Sequence, residues 1–337
     1  MTTRGSRSRP LRVALTGAGM ISWHHLMAWR NLGPRVQLVG ICDPNGQNAQ
    51  KRADEFGIPR IYQDTASMLE DAAIDALDVA SPRRTHATHV EAAAAKGIDV
   101  LCQKPLTPTL GEAQELILRI AGRNRLMVHE NWRFRPWYRK LRQWIVQGEL
   151  GDIIMGQLAM MGSGMLPDSE GRRPALERQP FMANEAQLMI AEVLIHHLDV
   201  MRYLCGPLHV LAARTAHTLA EVKGETLATI LLRTERDAPV TVTGTMAAPG
   251  YPARVGDRLE IVGTVASAVF NEGELDLIGP RPCSEHYDLA AGYQASFDNA
   301  IAHFVDCLES GSDFETGPID NIETLKLVAQ AYRAAAG

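Results

Sequence analysis

The chain has 337 residues and a formal net charge of −5, with 46% hydrophobic and 22% charged residues. This length and composition are typical of a globular protein with two domains. The negative charge argues against nucleic acid or an anionic membrane as a partner, because both attract a basic surface. The five cysteines form no Cys-x-x-Cys pair, so we expect reduced thiols in a cytoplasmic protein and no zinc site.

The first predicted unit is a strand, a glycine-rich turn and a helix. Residues 11–16 alternate as a strand does, and Gly17-Ala18-Gly19-Met20-Ile21-Ser22 follows before a helical pattern. In a dinucleotide-binding turn, glycines permit the tight bend and let main-chain amides approach a pyrophosphate. We therefore predict that Gly17, Gly19, Met20 and Ile21 bind a cofactor. Residues 1–10 lack the apolar segment of a signal peptide, so we expect a short disordered tail.

An acidic residue follows the second predicted strand, which covers residues 36–42. Asp43 lies about 20 residues after the glycine turn, the spacing of a carboxylate that binds the ribose hydroxyls. Its charge would repel the 2′-phosphate of NADP, so we predict NAD as the cofactor. The alternative is an aspartate that caps the turn Asp43-Pro44-Asn45-Gly46.

Strands and helices continue to alternate as far as residue 131. We predict six strands in Rossmann-like order, the last four near residues 60–62, 74–80, 100–102 and 125–130. The fourth strand ends at Ser81-Pro82, and a helix that carries His86 follows. The fifth strand ends at Gln103-Lys104-Pro105, at the sheet edge where ligands bind. Lys104 is compatible with a surface residue, although a desolvated lysine is also suited to moving protons.

From residue 132 the pattern changes to consecutive strands. Those strands are predicted within residues 153–161, 209–218, 227–234, 240–246, 259–262 and 268–270. We therefore predict an α/β Rossmann domain with a doubly wound parallel sheet over residues 1–131. An α+β domain with an open, mainly antiparallel sheet should cover residues 132–320. An amphipathic helix over residues 321–335 is expected to pack back on the first domain, and residues 162–181 to form a lid or a disordered loop.

A helix predicted over residues 186–205 carries Glu192, His196 and Asp199. Spacings of four and three place these side chains on one face. A histidine with an acid one turn away on each side is oriented and kept basic, as a general base requires. His197 should point about 100° away, towards the core or the cofactor. A purely structural charged face and a metal site are the alternatives, although no further ligand has a fixed spacing.

These motifs occur in the order typical of one enzyme family. The chain resembles the glucose-fructose oxidoreductase/inositol dehydrogenase (Gfo/Idh/MocA) family over nearly its whole length. The motifs that carry this resemblance are Gly17-Ala18-Gly19, Ser81-Pro82 with His86, Gln103-Lys104-Pro105, Asn131-Trp132-Arg133-Phe134 and residues 192–199. The resemblance implies bound NAD and a homodimer or homotetramer formed through the exposed sheet.

The resemblance also implies roles for individual residues. Ser81, Pro82, His86, Gln103 and Lys104 would join the cofactor site. Lys104, His196 and Glu192 would be catalytic. Asn131, Arg133, His197 and Asp199 would line the substrate. Two positions depart from the family pattern: Gln103 stands in place of a glutamate, and Glu192 in place of an aspartate.

The activity implied by the resemblance is NAD-dependent oxidation of a cyclic sugar. We expect an aldose, D-apiose first among them, to be oxidised at its anomeric carbon to a lactone. His196 would take the hydroxyl proton, while Lys104 would hold the hydroxyl oxygen. The alternatives are an inositol or polyol dehydrogenase, which forms a ketone, and a non-catalytic NAD-binding protein. Glu192 puts the proton relay of the inositol dehydrogenases in doubt.

Overall fold

The structure is a computed structural model that describes residues 9–70 and 73–337. The predicted N-terminal tail lies outside the described residues except at its last two positions. Among the described helices, none is long and apolar enough to cross a membrane. The chain divides into two compact units. The first contains the described residues up to Asn131 together with Gln294–Glu323, and the second contains Trp132–Tyr293 and Thr324–Gly337.

The first unit is built on a six-stranded parallel sheet. Its strands are β1 (Leu11–Thr16), β2 (Val36–Cys42), β3 (Ile61–Tyr62), β4 (Ala76–Val79), β5 (Asp99–Gln103) and β6 (Leu126–His129). The order β3-β2-β1-β4-β5-β6, with every neighbouring pair parallel, confirms the predicted doubly wound sheet. The order reverses between β1 and β4. In open α/β sheets, ligands bind at this switch point, beyond the carboxyl ends of the strands.

Helices alternate with these strands. They are α1 (Ser22–Asn31), α2 (Gly46–Phe56), α3 (Thr65–Glu70), α4 (His86–Ala95) and α5 (Leu110–Ile120), with short 3-10 turns at Gly33–Arg35 and Arg83–Thr85. Local chemistry explains the helix ends: Thr109 and Glu112 form a capping box before α5, and Gly57 ends α2 in the left-handed conformation. β4, β5 and β6 are buried along their whole length, as expected where helices cover both faces.

The second unit is built on an eight-stranded mixed sheet. Its strands are β7 (Ile153–Met161), β8 (Leu208–Ala216), β9 (Leu227–Thr234), β10 (Pro239–Thr245), β11 (Gly256–Gly263), β12 (Ser267–Asn271), β13 (Glu274–Ile278) and β14 (Cys283–His286). Their order is β14-β13-β12-β11-β7-β10-β9-β8. The β7–β10 pair is parallel and the other neighbouring pairs are antiparallel, which confirms the predicted mainly antiparallel sheet.

Three α-helices of the second unit precede β8. They are α6 (Pro136–Val146), α7 (Pro174–Arg178) and α8 (Ile195–Cys205), with 3-10 turns at Trp132–Phe134 and Pro180–Asn184 and a π-helical turn at Met189–Leu194. α8 packs against β7 and β10, and the inward-facing Leu158 and Val242 are fully buried. The segment 162–181, predicted as a lid or disordered loop, is ordered around α7, and Asp168 accepts the N–H groups of Glu170 and Arg172.

Two helices complete the chain, α9 (Leu289–Ser310) and α10 (Pro318–Ala336). In the first unit, Arg35 pairs with Asp306 of α9 at 2.6 Å. In the second, Arg202 Nε donates to Thr324 Oγ1 of α10 at 3.3 Å. The residues from Thr324 onward belong to the second unit, and the packing of residues 321–335 on the first domain stays a prediction. An amphipathic pattern predicts that one helix face is buried, but it does not identify the partner.

Candidate functional site

The glycine-rich turn connects the carboxyl end of β1 to α1 in the first unit. Gly17 has a φ of +96°, and a Cβ there would lie 2.6 Å from main-chain atoms of Ala80 and Ser81. Glycine is therefore required at this position. A Cβ on Gly19 would meet nothing within 4 Å, so the main chain is open to a ligand at Gly19. The Ser22 hydroxyl donates to the Gly19 carbonyl at 2.6 Å, and Met20 and Ile21 are half-buried in the same turn.

Asp43 lies beside this turn at the end of β2. One carboxylate oxygen accepts the N–H of Ala18 at 2.6 Å, and the other accepts the N–H of Asn45 at 2.8 Å. Asp43 therefore caps the following turn, as the alternative interpretation predicted. Its half-buried carboxylate retains further lone pairs for other donors. An open main chain at Gly19 and a carboxylate beside it fit the pyrophosphate and ribose of a dinucleotide.

His86 connects two turns at the same edge of the sheet. It is 1% exposed, with Nε2 at 2.8 Å from the Ser81 carbonyl and Nδ1 at 2.9 Å from the Pro105 carbonyl. Burial lowers the pKa of His86 to about 4, although both carbonyl oxygens oppose this effect. Because both ring nitrogens face main-chain oxygens, His86 has no atom left to bind a cofactor. This corrects the predicted cofactor contact: His86 positions the turns, whereas Ser81 and Pro82 are accessible.

Lys104 follows β5 and is half-buried, and its peptide bond to Pro105 is cis. The Gln103 side chain turns inward and is 8% exposed. Its Oε1 accepts the main-chain N–H of Lys104 at 2.7 Å. The predicted cofactor contact of the Gln103 side chain is therefore corrected as well. Asn131, predicted to line the substrate, is 2% exposed and donates from Nδ2 to Ser296 Oγ at 2.7 Å.

In the second unit, His196 lies on the first turn of α8. It is 6% exposed, and its ring stacks on Trp132 with the centroids 4.1 Å apart and the planes inclined by 15°. Glu192, 8% exposed, lies in the π-helical turn before α8. The helix predicted from residue 186 thus begins at Met189 and is not α-helical until Ile195. His196 and Asp199 therefore lie three residues apart on α8 itself, whereas Glu192 lies in the π-helical turn that precedes it.

Asp199 and Arg133, both predicted to line the substrate, bind each other. Arg133 Nε donates to Asp199 Oδ2 at 2.7 Å, and the Thr324 hydroxyl donates to Oδ1 at 2.9 Å. Asp199 is 0% exposed and Arg133 is 4% exposed. A buried carboxylate in a forked guanidinium pair is a structural contact. The pair holds α8 to the 3-10 turn at Trp132–Phe134 and does not offer either side chain to a substrate.

Asp257, on the inner face of β11, connects His197 to α6. Its Oδ1 lies 2.9 Å from His197 Nε2, and its Oδ2 accepts from Arg135 and from the Tyr138 hydroxyl, each at 2.8 Å. Burial alone would raise the pKa of Asp257, but His197 above all, together with Arg135 and Tyr138, holds it well below its usual range. His197, predicted to contact substrate, is 1% exposed and belongs to this cluster.

Sequence reasoning missed Asp257 and its partners Arg135 and Tyr138. One feature of the sequence could have identified Asp257. It is an acid at an inward position of β11, and the other inward residues of that strand, Leu259 and Ile261, are apolar. Asp78 within the apolar strand β4 gave a similar signal. Among the described residues, no group of three or more histidine, cysteine, aspartate or glutamate side chains is placed to hold a metal ion.

The sheet order, the open glycine turn and the adjacent carboxylate define the first unit as a dinucleotide-binding domain. The sequence model of the GFO/IDH/MocA oxidoreductase family, NAD-binding Rossmann fold, matches residues 11–131. The model of the GFO/IDH/MocA C-terminal domain matches residues 138–269. The chain belongs to this family and is an NAD-dependent oxidoreductase. The predicted family and cofactor are thereby confirmed.

Individual relatives cover most of the chain. The D-apiose dehydrogenase of Paraburkholderia graminis is 29% identical over 96% of this chain and 87% of its own. This confirms the similarity to a D-apiose dehydrogenase that residues 101–105, 129–136 and 192–197 predict. The scyllo-inositol 2-dehydrogenase (NAD(+)) of Bacillus subtilis is 25% identical over 89% of this chain and 87% of its own. An Agrobacterium radiobacter oxidoreductase, solved with NAD+, L-tartaric acid and magnesium, has a TM-score of 0.88 and 27% identity, covering 97% of this chain and 96% of its own.

Proposed function

We propose that the protein oxidises the anomeric carbon of an aldose to a lactone, with D-apiose as the first candidate substrate. The observation that carries the proposal is the place of Lys104. It follows β5 at the same sheet edge as the open glycine turn, where a proton-handling lysine can serve bound NAD. The similarity to a D-apiose dehydrogenase along 96% of the chain supports the choice of sugar.

The residues have separate proposed roles. Bound NAD+ supplies the hydride acceptor. Lys104 holds the oxygen of the reacting hydroxyl, and His196 accepts its proton as general base. Glu192 keeps His196 basic, and Trp132 orients its ring by stacking. Arg133, His197 and Asp199 act indirectly, because their contacts with one another and with Asp257 hold the elements that carry His196 and Trp132.

Asp43 is proposed to select the cofactor. Its carboxylate, already anchored by Ala18 and Asn45, would accept the ribose hydroxyls of NAD and repel the 2′-phosphate of NADP. Titration with both cofactors tests this role. NAD should bind at least tenfold more tightly than NADP, and Asp43→Ala should reduce the difference. Tighter binding of NADP to the parent protein would contradict the assignment.

The central experiment measures NADH formation with D-apiose, other aldoses and the inositols. Lys104→Ala should lower kcat by about 10²–10⁴-fold, the usual contribution of a proton-handling group. Lys51→Ala, which removes an exposed lysine on α2, is the matched control. Product identification by NMR distinguishes a lactone from a ketone.

Each outcome of that experiment decides one question. A ketone from an inositol, with no lactone from any aldose, would favour the polyol dehydrogenase. NAD binding without turnover of any sugar or polyol would favour a non-catalytic protein. Full activity of Lys104→Ala would remove Lys104 from the reaction.

We also propose a homodimer or homotetramer formed through the outer face of the eight-stranded sheet. That face carries Leu211 on β8 and Leu231 on β9, which are 53% and 38% exposed. Light scattering on the parent protein and on Leu231→Glu tests the assembly, and the variant should dissociate. A cytoplasmic location is proposed from the five free thiols, and cell fractionation tests it.

A further inference from the structure

A chain of buried polar side chains leads from Lys104 into the first unit. Gln103 Oε1 accepts the Lys104 N–H at 2.7 Å, and Gln103 Nε2 lies 3.1 Å from His25 Nε2. On the other side of the ring, His25 Nδ1 lies 2.9 Å from Asp78 Oδ2. Asp78 also accepts the indole N–H of Trp29 at 2.6 Å. Both His25 and Asp78 are 0% exposed, so bulk solvent does not reach them.

The chemistry of these groups assigns the hydrogens. The main-chain N–H of Lys104 can only donate, so its partner has to be the amide oxygen of Gln103. The amide nitrogen therefore faces His25, and an NH2 group only donates. His25 Nε2 is consequently an acceptor without a hydrogen. The imidazole proton is on Nδ1, which donates it to Asp78.

His129 is the acceptor for the remaining hydrogen of the Gln103 amide. Its Nδ1 lies 3.5 Å from Gln103 Nε2, and its ring centroid is 4.3 Å from that of His25. His129 is 0% exposed, and burial lowers its pKa well below the usual range, so the ring is neutral and can accept. One amide thus faces one donor and two acceptors. A glutamate carboxylate at position 103 could serve the donor but neither acceptor.

We propose that Gln103 is a positioning residue for Lys104. Its amide holds His25 in the Nδ1–H tautomer, and the chain Asp78–His25–Gln103 in turn fixes the main chain at Lys104. This explains why a glutamine, and not a glutamate, suits position 103 of this protein. The consequence for turnover rests on the proposed role of Lys104, whereas the tautomer and the main-chain hydrogen bond do not.

The tautomer is tested by ¹⁵N NMR of the protein labelled at histidine, with His25 assigned by its loss in His25→Asn. In the parent, Nδ1 should carry the hydrogen and Nε2 should carry none. In Gln103→Glu, Nε2 should become protonated, because a carboxylate requires a donor there. A hydrogen on Nε2 of the parent would overturn the proposal.

The link to Lys104 is tested by exchange of its amide hydrogen. Gln103→Met has a similar length but no acceptor, so exchange at Lys104 should accelerate at least tenfold. Gln103→Glu retains an acceptor and should keep the amide protected. Gln50→Met, at an exposed position of α2, is the control. Unchanged exchange in Gln103→Met would overturn the proposal, and faster exchange throughout the unit would show a general loss of structure instead of a specific link, which also counts against it.

Turnover provides the third measurement. Gln103→Met should lower kcat at least tenfold and change the Kd for NAD less than threefold, and Gln103→Glu should recover part of the loss. Full activity in both variants would overturn positioning. If the parent oxidises no sugar, the proposed function fails, and the NMR and exchange results still decide the proposal about Gln103.

Discussion

The imidazole of His196 lies flat against the indole of Trp132, with the ring centroids 4.1 Å apart. The guanidinium of Arg135 lies 3.6 Å from the centroid of the same indole, and Arg135 donates to Asp257. One aromatic ring therefore links the proposed base to a cation that a buried carboxylate holds. Stacking limits the rotation of His196, which a general base requires if it is to meet one substrate proton.

Trp132→Ala should lower kcat about tenfold, because an aromatic pair contributes roughly 0.5–1.5 kcal/mol beyond its buried area. Trp132→Phe retains a stacking ring and should stay within about threefold of the parent by the same estimate. Trp23→Ala removes an indole in the first unit and serves as the control. Steady-state kinetics with the accepted substrate measure the effect. Equal losses in the Phe and Ala variants would show that stacking is not what matters.

Asp257→Asn should destabilise the protein by about 3–5 kcal/mol at pH 7, the usual cost of removing one partner from a buried ion pair. The folded-state pKa of Asp257 lies below its value in the unfolded chain, which is about 3.9. The contribution of Asp257 to the free energy of unfolding is therefore present above pH 4 to 5, and it is lost as the pH falls through the folded-state pKa. Urea unfolding at several pH values should show parent and variant converging in acid. A difference in unfolding free energy between parent and variant that does not change with pH would contradict this role of Asp257.

His86 should reduce the free energy of unfolding as the pH falls, and it should do so at a higher pH than Asp257 does. Its folded pKa is about 4, whereas an unfolded histidine titrates near 6.5. The unfolded state therefore binds more protons between these values, and stability falls as the pH drops through them. From pH 7 to 5 this loss should be about 2 kcal/mol. His86→Asn should lack this part of the pH dependence, whereas His209→Asn, at an exposed position on β8, should retain it.

The two glycines of the turn should respond differently to alanine. In Gly17→Ala the new Cβ lies 2.6 Å from the main chain after β4, and φ is +96°. We expect a loss of about 1–3 kcal/mol in folding free energy as well as weaker NAD binding. Gly19→Ala meets nothing within 4 Å, so stability should be unchanged while NAD affinity falls at least tenfold. Gly46→Ala, also in open space, should change neither quantity.

The local elements and their order could be predicted from the pattern of apolar residues and glycines. The apolar runs of β2 and β7 occur within the predicted bounds, because a strand buried on one or both faces has a recognisable period. The turn at Gly17 was predictable because the turn requires a positive φ, which glycine adopts readily. The right-handed βαβ rule then restricted the sheet order to a small number of possibilities.

The pairing of buried polar groups depends on contacts between residues that are distant in the chain. His197 and Asp257 are 60 residues apart in the chain, and His25 and Asp78 are 53 apart. Periodicity predicts that a face is buried. It carries no information on which distant donor or acceptor forms the hydrogen bond with a polar group on that face. For the same reason, Arg133 and Asp199 turned out to bind each other, Gln103 turned inward, and α10 contributed its last residues to the second unit.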